Sequence, residues 1–346
     1  MVRILYGLCG EGMGHAIRSK VVLDHLSKKN ELVIVSSNRA YEYLSNHFKN
    51  VHNIYGYGIV YEKNMVKNFG TLIQNVKGLR KDAIKSIKKI YSLIKKYKPD
   101  VIISDFEPFT NTISTMLNIP LISIDNMHII TNCKIKIPKK YMTEYITSKM
   151  IIDSFVNTPK AYLITTFFFP EIKRKRTYLV KPILREAVLK AKPKKGNYIL
   201  VYQTSTSNQD LFEFLKKMDE KFIVYGFNED KKIKNLVYRK FSEKKMIKEL
   251  AGCKAVITNG GFTLISEAIH LGKPVLSIPV KKHFEQIVNG IYVKECGYGE
   301  FYKNLNEGKL KEFISNLKIY EANLKRYERE DNSRCLSMVD KLIEKH

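Results

Sequence analysis

Acidic residues are scarce in this chain: 34 Asp and Glu face 60 Lys and Arg in 346 residues, a formal net charge of +26 with histidine neutral. That imbalance has three readings: attraction to nucleic acid, attraction to anionic membrane lipid, or a compositional habit of a chain rich in Lys, Ile and Asn. Lys dominates over Arg, and no aromatic-interleaved basic motif or nucleic-acid module is present, so no nucleic-acid partner is expected. Long hydrophobic runs are missing too. No stretch reaches the roughly 18 apolar residues of a spanning helix. The opening M-V-R-I-L-Y-G-L-C-G is too short and too glycine-rich for a signal peptide and reads as a strand. The five cysteines (9, 133, 253, 296 and 335) form no C-x-x-C pair and no zinc spacing. Such a set fits a reducing cytoplasm and ordinary packing. The expected location is therefore cytoplasmic, with peripheral membrane attachment as the extension the charge suggests. Internal repeats and low-complexity tails are absent as well.

Short β-branched runs alternate with amphipathic helical segments throughout, which is the pattern of parallel α/β sheets. Strands are expected near 2–7, 31–36, 51–54, 100–104, 120–124, 161–166 and 178–180, then near 197–203, 221–225, 236–239, 254–258 and 274–278. The chain is long enough for two domains with real cores. Between the halves A-V-L-K-A-K-P-K-K-G, polar and punctuated by Pro and Gly, reads as a linker. In doubly wound sheets ligands lie beyond the carboxyl ends of the strands. The loops after 7, 36, 104, 124, 203, 225, 239 and 258 are the ones to watch.

The most informative stretch is N-G-G-F-T-L-I-S-E-A-I-H-L-G-K-P-V-L-S-I-P (259–279), followed by H-F-E-Q-I-V-N (283–289). A buried strand, K-A-V-I-T, leads into Gly260 and Gly261, which let backbone approach a ligand. A helix beginning near Phe262 or Thr263 would aim free N–H groups and a positive dipole end at that ligand. Glu267 lies one turn from Thr263 on the same face, where a carboxylate can accept both hydroxyls of a ribose.

This stretch resembles the donor half-site of GT-B glycosyltransferases, the UDP-sugar transferase superfamily. It is similar to the macrolide and glucuronosyl type and to the bacterial N-acetylglucosaminyltransferase of the lipid-linked peptidoglycan precursor. The resemblance implies that Gly260, Gly261 and Thr263 hold the diphosphate. It implies that Glu267 holds the ribose, and Glu285 and Gln286 the sugar hydroxyls, with Asn289 behind them. Asn259 stands where many members have a phosphate-contacting His. In Q-T-S-T-S-N, hydroxyls of Thr204, Ser205 and Thr206 replace the usual Gly-Ser turn beside the phosphates, or else form a polar loop with a helix cap. Phe241, in R-K-F-S-E-K-K-M-I, would lie at or beside the uracil ring, or pack in the core. The segment K-P-I-L-R (181–185) looks like the family's close of the N-terminal domain, and the last helix is implied to cross back onto that domain.

The resemblance also gives meaning to the first loop, G-L-C-G-E-G-M-G-H-A-I-R-S. Its glycines do not complete the dinucleotide fingerprint, and the Lys-Ser/Thr of a P-loop is missing. It offers G-H-x-x-R at a helix start, where the neutral, basic form of a histidine is favoured. By the resemblance His15 is the general base that deprotonates the acceptor hydroxyl, with Gly12, Gly14 and Arg18 in the same acceptor loop. Asp105, at the end of a buried strand, would orient His15 and stabilise the imidazolium, or alternatively cap the next helix.

The implied fold is α/β: GT-B, two doubly wound Rossmann-like parallel-sheet domains facing a cleft. Residues 1–186 would form the acceptor domain, 187–325 the nucleotide-sugar donor domain, and 326–346 the returning helix. The implied activity is inverting transfer of a sugar from a UDP-sugar to an acceptor hydroxyl. The diphosphate would be stabilised by backbone N–H groups and a helix dipole. No Asp-x-Asp metal motif occurs, so no metal and no cofactor are expected beyond the donor itself. The acceptor is not legible; a lipid-linked one and an anionic membrane surface are the partners the charge suggests. Two segments could serve there. One is the Lys-rich helix near 82–98, expected to carry Ile84, Ile87, Tyr91 and Ile94 on one face; the other is F-F-F-P-E-I-K-R-K-R at 167–176. The rival readings are a GT-B-fold UDP-sugar epimerase or hydrolase, an NADP-dependent oxidoreductase using Arg39, and a non-catalytic nucleotide-sugar-binding protein.

Overall fold

A computed structural model describes residues 1–10, 12–56, 61–62, 65–66, 68–156, 158–203, 209–281 and 283–346. Thr204 and Ser205 lie outside the described residues. Contacts divide the chain into two compact units, one of Met1–Val60, Lys67–Ile183 and Glu330–His346, the other of Tyr61–Val66 and Leu184–Arg329.

The first unit is built on β1 (Arg3–Leu8), β2 (Glu31–Ser36) and β3 (Val51–Asn53). In chain order a two-stranded antiparallel ribbon that belongs to the second unit, β4 (Tyr61–Glu62) with β5 (Met65–Val66), interrupts the series. Then come β6 (Val101–Asp105), β7 (Leu121–Asp125), β8 (Ala161–Thr165) and β9 (Thr177–Val180). Their order is β3-β2-β1-β6-β7-β8-β9, and every pairing is parallel. Strands β6, β7 and β8 are buried along their whole length. Helices cover both faces of such a sheet, which is why these strands read as continuous β-branched runs rather than alternating ones. The terminal helix, Ser333–Lys345, places Cys335, Val339, Leu342 and Ile343 in the core of this unit with Ile4, Tyr6 and Leu23. Its Asp340 meets His25 at 2.9 Å.

The second unit contains β10 (Tyr198–Tyr202), β11 (Lys221–Tyr225), β12 (Lys231–Ile233), β13 (Leu236–Tyr238), β14 (Ala255–Thr258), β15 (Val275–Ser277) and β16 (Gly299–Phe301). The order is β12-β13-β11-β10-β14-β15-β16, parallel except where β12 pairs antiparallel with β13. The edge strands β12 and β16 were not anticipated, because K-K-I is exposed throughout and G-E-F is mostly part-exposed, so neither reads as a buried β-branched run.

Each sheet has a topological switch point, where the strand order turns in opposite directions from a first strand. In the first unit it lies between β1 and β6, in the second between β10 and β14. The residues that follow those strands are the ones the sequence marks out.

One expected face is corrected. The helix Asn68–Tyr97 buries Ala83, Ser86, Ile90, Leu93 and Ile94, while Ile84 is 49% and Tyr91 41% exposed. A stripe at 83, 86–87, 90, 93–94 and 97 follows 3.6-residue periodicity closely, and 84 and 91 fall beside it. In 167–176, Phe167 and Phe168 are buried and Phe169 is exposed, its ring under Lys181 Nζ.

Candidate active site

The loop after β1 reaches its position through glycine. A Cβ on Gly10 would sit 2.3 Å from the Ser37 carbonyl oxygen, so only glycine lets this loop pass the end of β2. Gly12, exposed and at φ 81°, turns the chain into the helix Met13–Leu26, whose start has no side-chain cap. Gly14 and His15 follow within its first turn, and Arg18 and Ser19 lie one turn on, both buried.

Asp105, the last residue of β6, is fully buried and lies at the centre of these groups. Its Oδ1 lies 2.8 Å from His15 Nδ1, and its Oδ2 accepts from Ser19 Oγ at 2.9 Å and from Arg18 Nε at 3.1 Å. Arg18 Nη2 donates to Oδ1 as well, and Arg18 Nη1 donates to Asn126 Oδ1 at 2.8 Å. Burial is the largest influence on Asp105 and pushes its pKa up, but Arg18 and His15 outweigh it and hold the carboxyl below its ordinary value. For Arg18 the ordering is the same: burial opposes the cation, and Asp105 more than restores it.

The cap role open to Asp105 belongs instead to Glu107. Its carboxylate accepts from Phe109 N at 3.0 Å and Thr110 N at 2.7 Å and so caps the helix Pro108–Leu117. Between the two acids, Phe106 adopts a left-handed φ of 58° and packs its ring near Phe155 and His128. An aromatic residue adopts that conformation only where its surroundings impose it. The consequence is that Asp105 and Glu107 serve different groups. Since Nδ1 faces Asp105, the imidazole Nε2 is the nitrogen left to take a proton from a substrate hydroxyl, the arrangement of a general base with its orienting acid.

In the second unit, Thr258 ends β14 and Gly260 follows at φ 95°. A Cβ there would lie 2.9 Å from the Gln286 carbonyl oxygen and 2.8 Å from Ser277 Oγ. Asn289 Nδ2 donates to the Gly260 carbonyl at 3.0 Å and pins the turn from behind. Gly261 precedes the helix Phe262–His270, has no side-chain cap, and has no heavy atom within 4 Å of where a Cβ would be. Backbone N–H groups of the first turn of a helix have no intrahelical acceptor, and the dipole there favours an anion. Thr263, half-buried, sits in that turn.

Buried polar side-chain atoms without a partner among the described residues include Asn259 Oδ1 in this turn, Ser277 Oγ beside Gly260 and Gln203 Nε2 at the end of the neighbouring β10. Such atoms are costly unless a ligand or water satisfies them. The Gln286 Oε1 accepts from Val280 N at 2.9 Å, which leaves its amide N–H groups for other acceptors. Glu285 beside it is half-buried. Phe241 is 52% exposed, and its backbone N–H donates to Asn228 Oδ1; it is not a core residue.

Glu267 is placed differently from the simple expectation. It is 1% exposed, and Arg185 bridges both its oxygens, Nε to Oε1 at 2.7 Å and Nη2 to Oε2 at 2.6 Å. Arg185 Nη1 also donates to Glu243 Oε1 at 3.1 Å. Burial pushes the Glu267 carboxyl up, and Arg185 offsets only part of this, so it stays above its ordinary value. A guanidinium fork needs an acceptor at both oxygens, so the pair is ionised.

Sequence reasoning missed Arg185, Asn126, Ser19, Ser277 and Gln203 as members of these clusters. Arg185, Ser19, Ser277 and Gln203 lay within segments already singled out (181–185, 7–19, 259–279 and 203–208) but were given no role there; only Asn126, just past the end of β7, lay in none of them. Among the described residues no three His, Cys, Asp or Glu gather as metal ligands, and no helix is long and apolar enough to cross a membrane.

A glycosyltransferase of Methanosarcina acetivorans, itself described as uncharacterized, is 26% identical, with 86% of this chain and 85% of that protein covered. A second from Methanosarcina mazei matches with the same identity and coverage. Among solved structures, UGT2 of Phytolacca americana, complexed with UDP-2fluoro-glucose and pterostilbene, superposes with a TM-score of 0.70 at 12% identity, covering 100% of this chain and 99% of that one. The calicheamicin glycosyltransferase CalG4 gives 0.68 at 14%, covering 99% and 98%. MurG of Acinetobacter baumannii gives 0.65 at 13%, covering both chains fully, at 100%. These structural likenesses speak for the fold, two parallel-sheet α/β domains of GT-B type. A family model for glycosyl transferase family 1 matches residues 2–318, nearly the whole length, and the chain belongs to that family as a glycosyltransferase.

Proposed function

We propose that this glycosyltransferase moves a sugar from a UDP-sugar to an acceptor hydroxyl in one inverting displacement, without a metal ion. His15 Nε2 removes the hydroxyl proton as the oxygen attacks the anomeric carbon, and Asp105 holds the ring and supports the imidazolium. Gly12 and Gly14 keep the acceptor loop small. On the donor side, Gly260, Gly261, Thr263 and the start of the helix Phe262–His270 carry the charge that develops on the departing diphosphate. Asn259 contributes its side chain there, joined by Thr204 and Ser205. Phe241 offers a ring face to the base, and Glu285 and Gln286 bind the sugar hydroxyls. Glu267 takes the ribose through the second lone pair of each oxygen while Arg185 holds the first.

The observation that carries the transfer reading is the 2.8 Å contact between His15 Nδ1 and Asp105, at a switch point of the first sheet. The helix start without a side-chain cap and the partnerless Gln203 Nε2, a donor at the end of the neighbouring strand β10, support an anionic donor in the second unit. The acceptor is proposed to be lipid-linked, reached by a cytoplasmic protein that attaches to the membrane surface. The net charge of +26 supports this, as does an exposed stripe of Met142, Ile146 and Met150 on the helix Met142–Phe155, preceded by exposed Lys139 and Lys140.

The test is a thermal-shift panel of UDP, GDP, dTDP and UDP-sugars, followed by His15→Ala in a transfer assay. A nucleotide at 100 times its Kd adds about 2.7 kcal/mol to stability. The expected result is selective stabilisation by UDP, and a loss of roughly 10²–10⁴-fold in rate for His15→Ala at nearly unchanged UDP affinity. Normal turnover by His15→Ala, with UDP released in the absence of any acceptor, would instead favour a hydrolase or epimerase.

A further inference from the structure

We propose that Arg18 is a positioning residue for the base: it fixes the Asp105 carboxylate against His15 Nδ1 and sets a buried cation beside the same nitrogen. This rests on reading His15 as the base.

The geometry is a chain of four groups. Asn126 Oδ1 holds Arg18 Nη1, Arg18 Nε and Nη2 hold both Asp105 oxygens, and Asp105 Oδ1 faces His15 Nδ1. Three acceptors around one buried guanidinium leave Arg18 no freedom to swing toward a substrate. Its part is therefore played through Asp105. The fork fixes the carboxylate plane, and Ser19 Oγ completes the coordination of Oδ2. With Oδ1 aimed at Nδ1, the ring is held in the tautomer that leaves Nε2 free to accept.

The electrostatics point the same way. Arg18 Nη2 also lies 3.1 Å from His15 Nδ1, while the Asp105 oxygen lies 2.8 Å from the same atom. A carboxylate alone at that distance would favour the imidazolium, and a base already protonated cannot act. A cation at a comparable distance cancels much of that pull. The other titratable groups nearby add little charge. Tyr6, whose OH donates to Ser19 Oγ, is buried and pushed far up, so it is neutral. Cys335 of the terminal helix, which faces Arg18, is pushed up by burial to about 12 and is neutral too. Asp125, at the end of β7, acts on Arg18 from the side of Asn126, and its own charge is bound up with His128. The balance at the ring is thus set by Asp105 on one hand and Arg18 on the other.

A purely structural Arg18 would stabilise the packing of the helix Met13–Leu26 on β6 and nothing more. The pH dependence separates the two roles. The full chain would be assayed as Arg18→Met, Arg18→Lys, Asp105→Asn and the Arg18→Met/Asp105→Asn double variant, with kcat/KM for the acceptor measured against pH. In parallel, the ring-proton resonance of His15, assigned by its loss in His15→Ala, would be titrated by NMR. With the counter-cation gone, Arg18→Met should move the acid limb of the rate profile to higher pH by about 1–2 units. Asp105→Asn should move it the other way, and the double variant should return close to the wild-type position at a reduced rate. Arg18→Lys should keep the position of the limb but lose kcat, since it retains charge without the fork. UDP affinity should be unchanged in all four. A folded Arg18→Met enzyme with an unmoved acid limb and an unmoved ring titration would overturn the proposal. Should Arg18→Met not fold, comparing Asp105→Asn with the double variant isolates the same effect, and equal profiles there would overturn it as well. If His15→Ala turns over normally, the base reading fails; the ring titration still shows whether Arg18 governs the imidazole.

Discussion

At the scale of single residues, Glu267 shows how the meaning of a motif position depends on its neighbours. The sequence places a carboxylate one turn into the donor helix, and the structure spends both its oxygens on Arg185. Removing one member of a buried ion pair leaves the other charge uncompensated. Glu267→Ala should therefore lower unfolding stability by about 3–5 kcal/mol, measured by urea denaturation. If the ribose also binds here, isothermal titration with UDP should show a further loss of about 1.5–3 kcal/mol in affinity. A stability loss with unchanged UDP affinity would leave Glu267 a structural partner of Arg185 and remove it from the donor site.

At the scale of elements, the ends of β6 and β7 each carry an Asp–His pair of different character. Asp105 meets a partly exposed His15, whereas Asp125 and His128 are both buried. His128 is flanked by two acceptors, Asp125 Oδ2 at 2.7 Å and the Val156 carbonyl at 2.9 Å, so both ring nitrogens are called on to donate. Burial is the largest influence and lowers the His128 pKa, but Asp125 and the Val156 carbonyl reverse it and leave a net rise above the ordinary 6.5. A folded pKa raised above the unfolded one gives stability that is fully present below the unfolded value and is lost as pH rises through the folded value. The Tm difference between wild type and His128→Asn should accordingly be largest near pH 6 and shrink toward pH 9. A difference constant over that range would mean that His128 is held neutral. Asp125 is lowered, with burial raising it and His128 prevailing, so its own contribution disappears only in acid.

At the scale of the whole molecule, the excess of 60 basic over 34 acidic residues is the dominant property. Sedimentation with vesicles should require anionic lipid and weaken as salt rises, since surface attraction is screened over about 10 Å at 0.1 M salt. Replacing Met142, Ile146 and Met150 together by Gln should reduce binding more than replacing Lys85 and Lys88, because the former are exposed apolar groups on one helix face. Binding that survives the triple change, or equal partition to neutral vesicles, would remove that helix from the role. Transfer activity should persist in EDTA, because the proposed stabilisation of the diphosphate comes from a helix start. Complete loss on chelation, restored by magnesium or manganese, would contradict that mechanism.

The sequence by itself determined the α/β class, since buried parallel strands must be continuous β-branched runs and their covering helices amphipathic. It also determined the strand-turn-helix at 254–270, because the Gly-Gly pair between a buried β-branched run and a helical pattern is visible without coordinates, and the structure gives Gly260 the φ of 95° that such a turn needs. What it could not determine was which polar side chains meet. Asp105 and Glu107 are two residues apart and equally able to cap a helix; only a left-handed Phe106 and the packing around it send one to His15 and the other to the helix Pro108–Leu117. Arg18 and Asn126 are 108 positions apart, and Arg185 and Glu267 are 82 apart. Such pairings depend on strand order, which no local pattern encodes. The hydrophobic periodicity that drives the fold is local and legible, whereas the ion pairs that tune the site are long-range and exist only once the sheets have formed.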